Sequence, residues 1–143
     1  MAELEGTLTT MSWEEERYDA APGQPKFTHA RVVHELAGAI SGEASMCYLM
    51  VYRPDESASF VGLATVTGTV DGRLGSFVMQ DVGTYENGVA KSRWTVLPGL
   101  GSGAFVGVRG DGHFASDGSS ATYRLEVEWQ QQSSSARAGE RGI

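Results

Sequence analysis

Two acidic positions have the neighbours that acid–base chemistry needs. Glu15 follows Trp13 by two residues in Ser12-Trp13-Glu14-Glu15-Glu16. In an extended strand the two side chains share a face, and an indole wall beside a carboxyl is expected to raise its pKa toward neutrality, where it can give or take a proton. The same three glutamates also read as a solvated charge run. Asp81 keeps the parity of Phe77 and Met79, so it points into the fold if they do, and a slip of one residue reverses this. An inward carboxylate needs a partner such as Arg93, Arg109 or a tyrosine hydroxyl; the alternative is an outward Asp near a strand end. Arg109 alternates with Phe105 and Gly107. Pointing inward, its planar fork would anchor a ligand carboxylate or enolate. In its Arg-Gly-Asp-Gly setting it reads equally as the residue that ties down a turn.

The other chemistry-bearing residues offer less. His29, His34 and His113 are dispersed without the spacing of a zinc site, and each reads as a surface or strand-end histidine. Cys47 is the sole cysteine, which excludes an intrachain disulfide and the two-cysteine zinc patterns. Flanked by Met46 and Tyr48 with no adjacent base, it reads as an inert buried thiol. Leu97-Pro-Gly-Leu-Gly-Ser-Gly lacks the Lys-Ser/Thr ending and following helix of a phosphate loop, and is expected to be a flexible strand connection and pocket lid. No cofactor and no metal are expected.

These residues must be held by strands. Phe60 to Gly83 reads as two β-branched runs joined by Asp71-Gly72, the dipeptide of a tight hairpin. Similar runs span Leu4–Arg17, Phe27–Leu36, Glu43–Tyr52, Ser59–Val70, Leu74–Tyr85, Val89–Leu97, Gly103–His113 and Thr122–Trp129, the first broken off by a turn over Ala20–Pro25. The stretch Ser12–Ala20 could instead form a helical turn. About eight strands of roughly ten residues suit a closed antiparallel up-and-down barrel holding one small ligand; an immunoglobulin-like β-sandwich is the competing fold. The barrel domain is expected over residues 1–130, with a flexible tail over 131–143 that has too little apolar surface to order itself.

In the last strand Tyr123, Leu125, Val127 and Trp129 alternate with Arg124, Glu126 and Glu128, a half-wet pattern. Between Glu43 and Tyr52 both faces are apolar: Met46, Tyr48, Met50 and Tyr52 on one, Cys47, Leu49 and Val51 on the other. Such a strand must be covered twice, and with no long amphipathic helix available a second subunit is the expected cover. The first of these faces, joined by Trp13, Phe60, Phe77, Met79, Trp94 and Phe105, would line a pocket of aromatic and thioether character suited to a polyene, terpenoid or polyketide. The same set equally describes a barrel packed solid. Gly62, Gly68, Gly75, Gly83 and Gly107 within the runs favour curvature and room beside a ligand.

The net charge of -7 and pI near 4.9 argue against nucleic acid or an anionic membrane as partner. Lack of a basic, apolar leader or a spanning apolar run argues against secretion and insertion, and the single cysteine suits a cytoplasmic setting.

Five motifs occur together: Trp13-Glu14-Glu15, Phe60-Val61-Gly62-Leu63, Gly72 to Val78, Pro98 to Gly103 and Arg109 to Gly112. Over residues 6–130 the chain thereby resembles the mostly bacterial family catalogued as domain of unknown function 3224. The family pattern places His after the hairpin's Gln, where this chain has Asp81. The resemblance implies an eight-stranded barrel like that of allene oxide cyclase and the dirigent proteins, which bind hydrophobic small molecules and guide cyclisation or coupling without a metal. The expectation is therefore an oligomeric, metal-free isomerase or cyclase using Glu15 or Asp81. The competing expectations are a hydrophobic-ligand carrier or sensor, and a packed barrel serving protein association.

Overall fold

The computed structural model describes residues 2–19, 22–23, 25–117 and 120–129. The expected tail at 131–143 lies outside these residues, as do Ala20, Ala21 and Gln24 of the expected first turn. The elements are β1 (Ala2–Asp19), β2 (Lys26–Gly38), β3 (Ser41–Tyr52), β4 (Ala58–Val70), β5 (Arg73–Glu86), β6 (Val89–Val96), the two-residue β7 (Ser102–Gly103), β8 (Arg109–Ser116) and β9 (Ala121–Glu128). They pair antiparallel in the order β4-β3-β2-β1-β9-β8-β6-β5, and the β4–β5 pairing closes the ring. The result is the closed eight-stranded barrel, with β7 as an extra strand on β5.

Asp71 and Gly72 both take positive φ, 52° and 75°, as a two-residue turn of this twist requires. Asn87-Gly88 does the same between β5 and β6. Residues Ser12 to Arg17, and Asp19 after a skip at Tyr18, pair with β2, so the helical alternative for that stretch is not realised.

Two expectations need correction. The run Gly103–His113 is not one strand: Ala104 to Gly107 turn, and β8 starts only at Arg109. Gly103 and Gly107 at φ 59° and 75° allow that turn, which side-chain-bearing residues would resist. Cys47 is exposed, because strand alternation puts it on the outer face with Leu49.

The inward rows meet in one core including Val32, Met46, Val66, Phe77, Met79, Trp94, Leu125 and Val127. At one end the connection between β6 and β8 folds back into the barrel. Its Phe105 is wholly buried, 4.7 Å from the Phe77 ring and 5.3 Å from that of Trp129. The loop backbone is tied down by Leu97 N–H to Val78 O and Ala104 N–H to Leu74 O, both 2.9 Å. The buried members of this connection, Ala104, Phe105 and Val108, plug this end of the barrel, while Pro98–Gly103 runs over its outside rather than forming a lid. At the other end the two fully described connections, residues 53–57 and 87–88, are short turns.

Outside, Leu49, Val61 and Val82 lie side by side in register across β3, β4 and β5, with Leu63 one row away, all exposed. Among the described residues no helix is long and apolar enough to cross a membrane.

Candidate functional site

A cavity of about 290 Å³ opens at the unplugged end. Its rim carries Trp13, Tyr52 and Tyr85, its wall Met50, Ala58, Phe60 and Ala90, and its deeper surface Thr10, His34, Tyr48 and Phe114. The size falls just below the usual ligand-pocket range of roughly 300–1,000 Å³, so it suits a small molecule.

A bulge in β1 aims the rim residues. Thr10 pairs with His34 and Ser12 with Val33, leaving Met11 unpaired. The extra residue reverses the strand's parity: Leu4 and Leu8 are buried before it, whereas Trp13 and Glu15 face inward after it. Trp13 remains 51% exposed, as expected of a rim residue, and its indole N–H donates to Glu15 Oε1 at 3.0 Å. The other oxygen, Oε2, accepts from Thr28 Oγ1 at 2.6 Å and Tyr52 Oη at 2.5 Å. Lys26 Nζ stands 4.4 Å from the Tyr52 ring centre. Burial alone would push the Glu15 pKa up, but the bonds from Thr28, Tyr52 and Trp13, with the Lys26 charge, bring it below the ordinary value. The expected rise toward neutrality is thus reversed, because donors favour the charged form more than partial burial opposes it. In turn, burial first and then Glu15 push the Tyr52 hydroxyl up, keeping it protonated.

Asp81 does point inward and is 1% exposed. Of its expected partners, the tyrosine hydroxyl is the one realised: Tyr48 Oη lies 2.6 Å from Asp81 Oδ2. The contact spans a strand, and a glycine makes it possible. Tyr48 pairs with Gly62 and Gly62 with Asp81; a Cβ on Gly62 would come within 2.6 Å of Tyr48 Cδ1. Its absence lets the ring lie across β4 to reach β5. Met46 Sδ is a second neighbour of the same hydroxyl, at 2.8 Å. Asp81 Oδ1, Ser92 Oγ and Trp94 Nε1 are buried without a well-formed hydrogen bond. Burial pushes the Asp81 carboxyl above its ordinary value, against the lowering pull of Ser92, Tyr48 and Trp94. Tyr48 is driven upward by burial and then by Asp81, and stays protonated.

The sequence expectations thus separate into groups. Trp13, Tyr48, Met50, Tyr52 and Phe60 meet at the cavity, with Glu15 and Asp81 each bonded to one of its tyrosines. Met46, Phe77, Met79, Trp94 and Phe105 are packed in the core. Trp94 forms the layer beneath the cavity, stacked 6.1 Å from Phe114 and 5.8 Å from Tyr123. Arg109 is exposed and borders a separate depression with Pro98 and Trp129, on the plugged side. It does not point inward, because the turn at Ala104 to Gly107 breaks the alternation with Phe105 that suggested it.

Sequence reasoning missed His34. Far from being a surface histidine, it is 7% exposed inside the barrel, with Nδ1 3.2 Å from Thr10 Oγ1. Burial lowers its pKa and favours the neutral ring. Its alternation with Ala30, Val32 and Leu36, all buried, was the available signal. Among the described residues no group of three or more His, Cys, Asp or Glu is placed to hold a metal ion.

Among curated proteins, none matches the chain. Among solved structures, a protein of unknown function from the DUF3224 family of Shewanella oneidensis MR-1 is similar, with a TM-score of 0.77 at 20% identity. The match covers 92% of this chain and 99% of that one, and it is a likeness of fold. The family profile for proteins of unknown function DUF3224 matches residues 4–127. With the bulge, the plug and the closed ring all set within that span, the chain belongs to the DUF3224 family.

Proposed function

We propose that the open end of the barrel binds an apolar small molecule, polyketide, terpenoid or lipid-like in character, and that the protein isomerises or cyclises it. The carrying observation is the cavity itself, walled by aromatic and thioether side chains with a carboxyl–tyrosine pair at its rim and another deeper in. The two carboxyls are pushed in opposite directions. Such a divergence supports an assignment of roles: Glu15, ionised, takes a proton, and Asp81 acting behind Tyr48 supplies one. The walls would fold a flexible substrate before either group acts.

One observation favours a second reading, a carrier without turnover. Three donors hold Glu15, which makes it a weak base and gives it a structural duty at the rim. Glu15→Gln separates the two: loss of turnover with ligand binding intact supports the enzyme, and unchanged behaviour supports the carrier. The first experiment is gentle native mass spectrometry of the purified protein, followed by solvent extraction. A retained or readily loaded apolar molecule supports the cavity reading. An unliganded spectrum that stays so after incubation with lipid, terpenoid and polyketide mixtures overturns it and leaves protein association as the role.

A homo-oligomer and a cytoplasmic setting belong to the same proposal. The exposed apolar row on β3 to β5 supports the first and the lone cysteine the second. Sedimentation equilibrium reads the subunit number.

A further inference from the structure

Beneath the cavity three buried polar atoms lie without a well-formed hydrogen bond: Asp81 Oδ1, Ser92 Oγ and Trp94 Nε1. The carboxyl is 1% exposed, its Oδ1 has only the poorly aligned donors Ser92 and Trp94 near it, and among the described residues no cation pairs with it. A charge in that position is costly, and protonation is the usual way out. The acid proton then needs an acceptor, and the Tyr48 oxygen at 2.6 Å from Oδ2 is the nearest one shown. When the carboxyl donates to that oxygen, the Tyr48 hydrogen can no longer point at Asp81 and turns to what else surrounds it: the weak acceptor Met46 Sδ or the cavity that Tyr48 lines.

We infer that Tyr48, oriented by a protonated Asp81, is a hydrogen-bond donor for a carbonyl oxygen on an otherwise apolar ligand, so that the cavity selects ketones or aldehydes over hydrocarbons of the same shape. The inference rests on the cavity reading above. Asp81 is the positioning residue, and Gly62 is what allows the two to meet. Burial, which pushes the Asp81 carboxyl up, acts in the same direction. A site built to pair an oxygen rejects the analogue lacking it, because its own donor is then left unsatisfied.

The test compares 2-acetylnaphthalene with 2-ethylnaphthalene, two molecules of one ring system and similar size, the first of which carries a carbonyl oxygen that the second lacks, by titration calorimetry on the full chain. The wild type should prefer the acetyl compound by about three- to tenfold, the worth of one neutral hydrogen bond. Tyr48→Phe, checked for folding by near-ultraviolet circular dichroism, should abolish the preference. Asp81→Asn should retain it, since its amide donates to the Tyr48 oxygen at any pH. Equal affinities in the wild type overturn the inference and leave the cavity reading standing. A preference that first arises in Asp81→Asn overturns it too, because Asp81 is then ionised and holds the Tyr48 hydrogen. A preference that survives Tyr48→Phe assigns the oxygen to another group, His34 being the next polar one on the wall. If neither compound binds, the cavity reading falls and this inference with it.

Discussion

The two ends of the barrel are built from the same kind of residue and finish differently. At the plugged end Phe105 and Phe77 are buried against each other and Trp129 closes over them. At the open end Trp13, Tyr52 and Tyr85 ring a cavity instead. The difference lies in the connections. Residues 97–108 are long enough to return into the mouth and carry an aromatic side chain with them, whereas Asn87-Gly88 spends both residues on reversing direction. The 53–57 turn is likewise absorbed in holding itself, with Asp55 Oδ1 accepting from Ser57 N–H at 3.0 Å and from its hydroxyl at 2.7 Å. An alternating aromatic face therefore does not decide between core and pocket; the length of the loop above it does.

The comparison predicts a hierarchy of effects. Phe105→Ala should be the most damaging, costing about 3–5 kcal/mol in urea unfolding as expected for a buried aromatic. Phe60→Ala at the open end should cost clearly less, since it enlarges an existing space. Equal losses would mean that the cavity wall is packed as tightly as the plug.

Gly62→Ala comes next. The added Cβ would stand 2.3 Å from Cys47 O and 2.6 Å from Tyr48 Cδ1, an overlap in the range of about 1–3 kcal/mol for overpacking. Tyr48 should swing away from Asp81, and any ligand preference that depends on that pair should go with it. A variant of wild-type stability and binding would show that the ring reaches β5 by another path.

The rim and the interior should also respond oppositely to pH. Asp81 has its pKa raised in the folded chain. Its favourable share of stability is present below the unfolded value near 4 and is lost as pH rises through the folded value. Asp81→Asn should therefore gain on the wild type over that window. Glu15 has its pKa lowered, so its share is present above the unfolded value near 4.3 and is lost as pH falls through the folded value. Glu15→Gln should trail the wild type at neutral pH and draw level in acid. Chemical denaturation from acid to neutral pH reads both signs, and the same sign for both would break the contrast. The smallest effect is expected of Arg109→Ala: being exposed and away from the cavity, it should stay within about 0.5 kcal/mol and leave ligand binding unchanged.

Much of the barrel was legible because local chemistry and strand parity agree. Asp71-Gly72 marked its hairpin, and Tyr123, Leu125 and Val127 alternated with charged residues as their burial requires. In β3 both faces are apolar, so alternation alone did not choose the inward one, and it is the fold that turns Met46, Tyr48 and Met50 inward and leaves Cys47 and Leu49 exposed. Parity failed where the backbone broke step. Arg109 was set inward by counting from Phe105 through a segment that is a turn. His34 was set outside by residue type, although its strand's alternation points in.

The sequence by itself determined the class of fold, the inward row of a strand with one polar face, and which residues can donate, accept or titrate, because a period of two and a turn dipeptide are local properties. Tertiary structure decided everything that depends on residues far apart in the chain. The pairing of β1 with β2 and of β2 with β3 put Glu15 beside Thr28 and Tyr52, reversing the expected direction of its pKa. Gly62 let Tyr48 cross to Asp81, and one long connection plugged one mouth and left the other open. A carboxyl's charge and a cavity's existence are set by neighbours in space, and only the closed barrel supplies them.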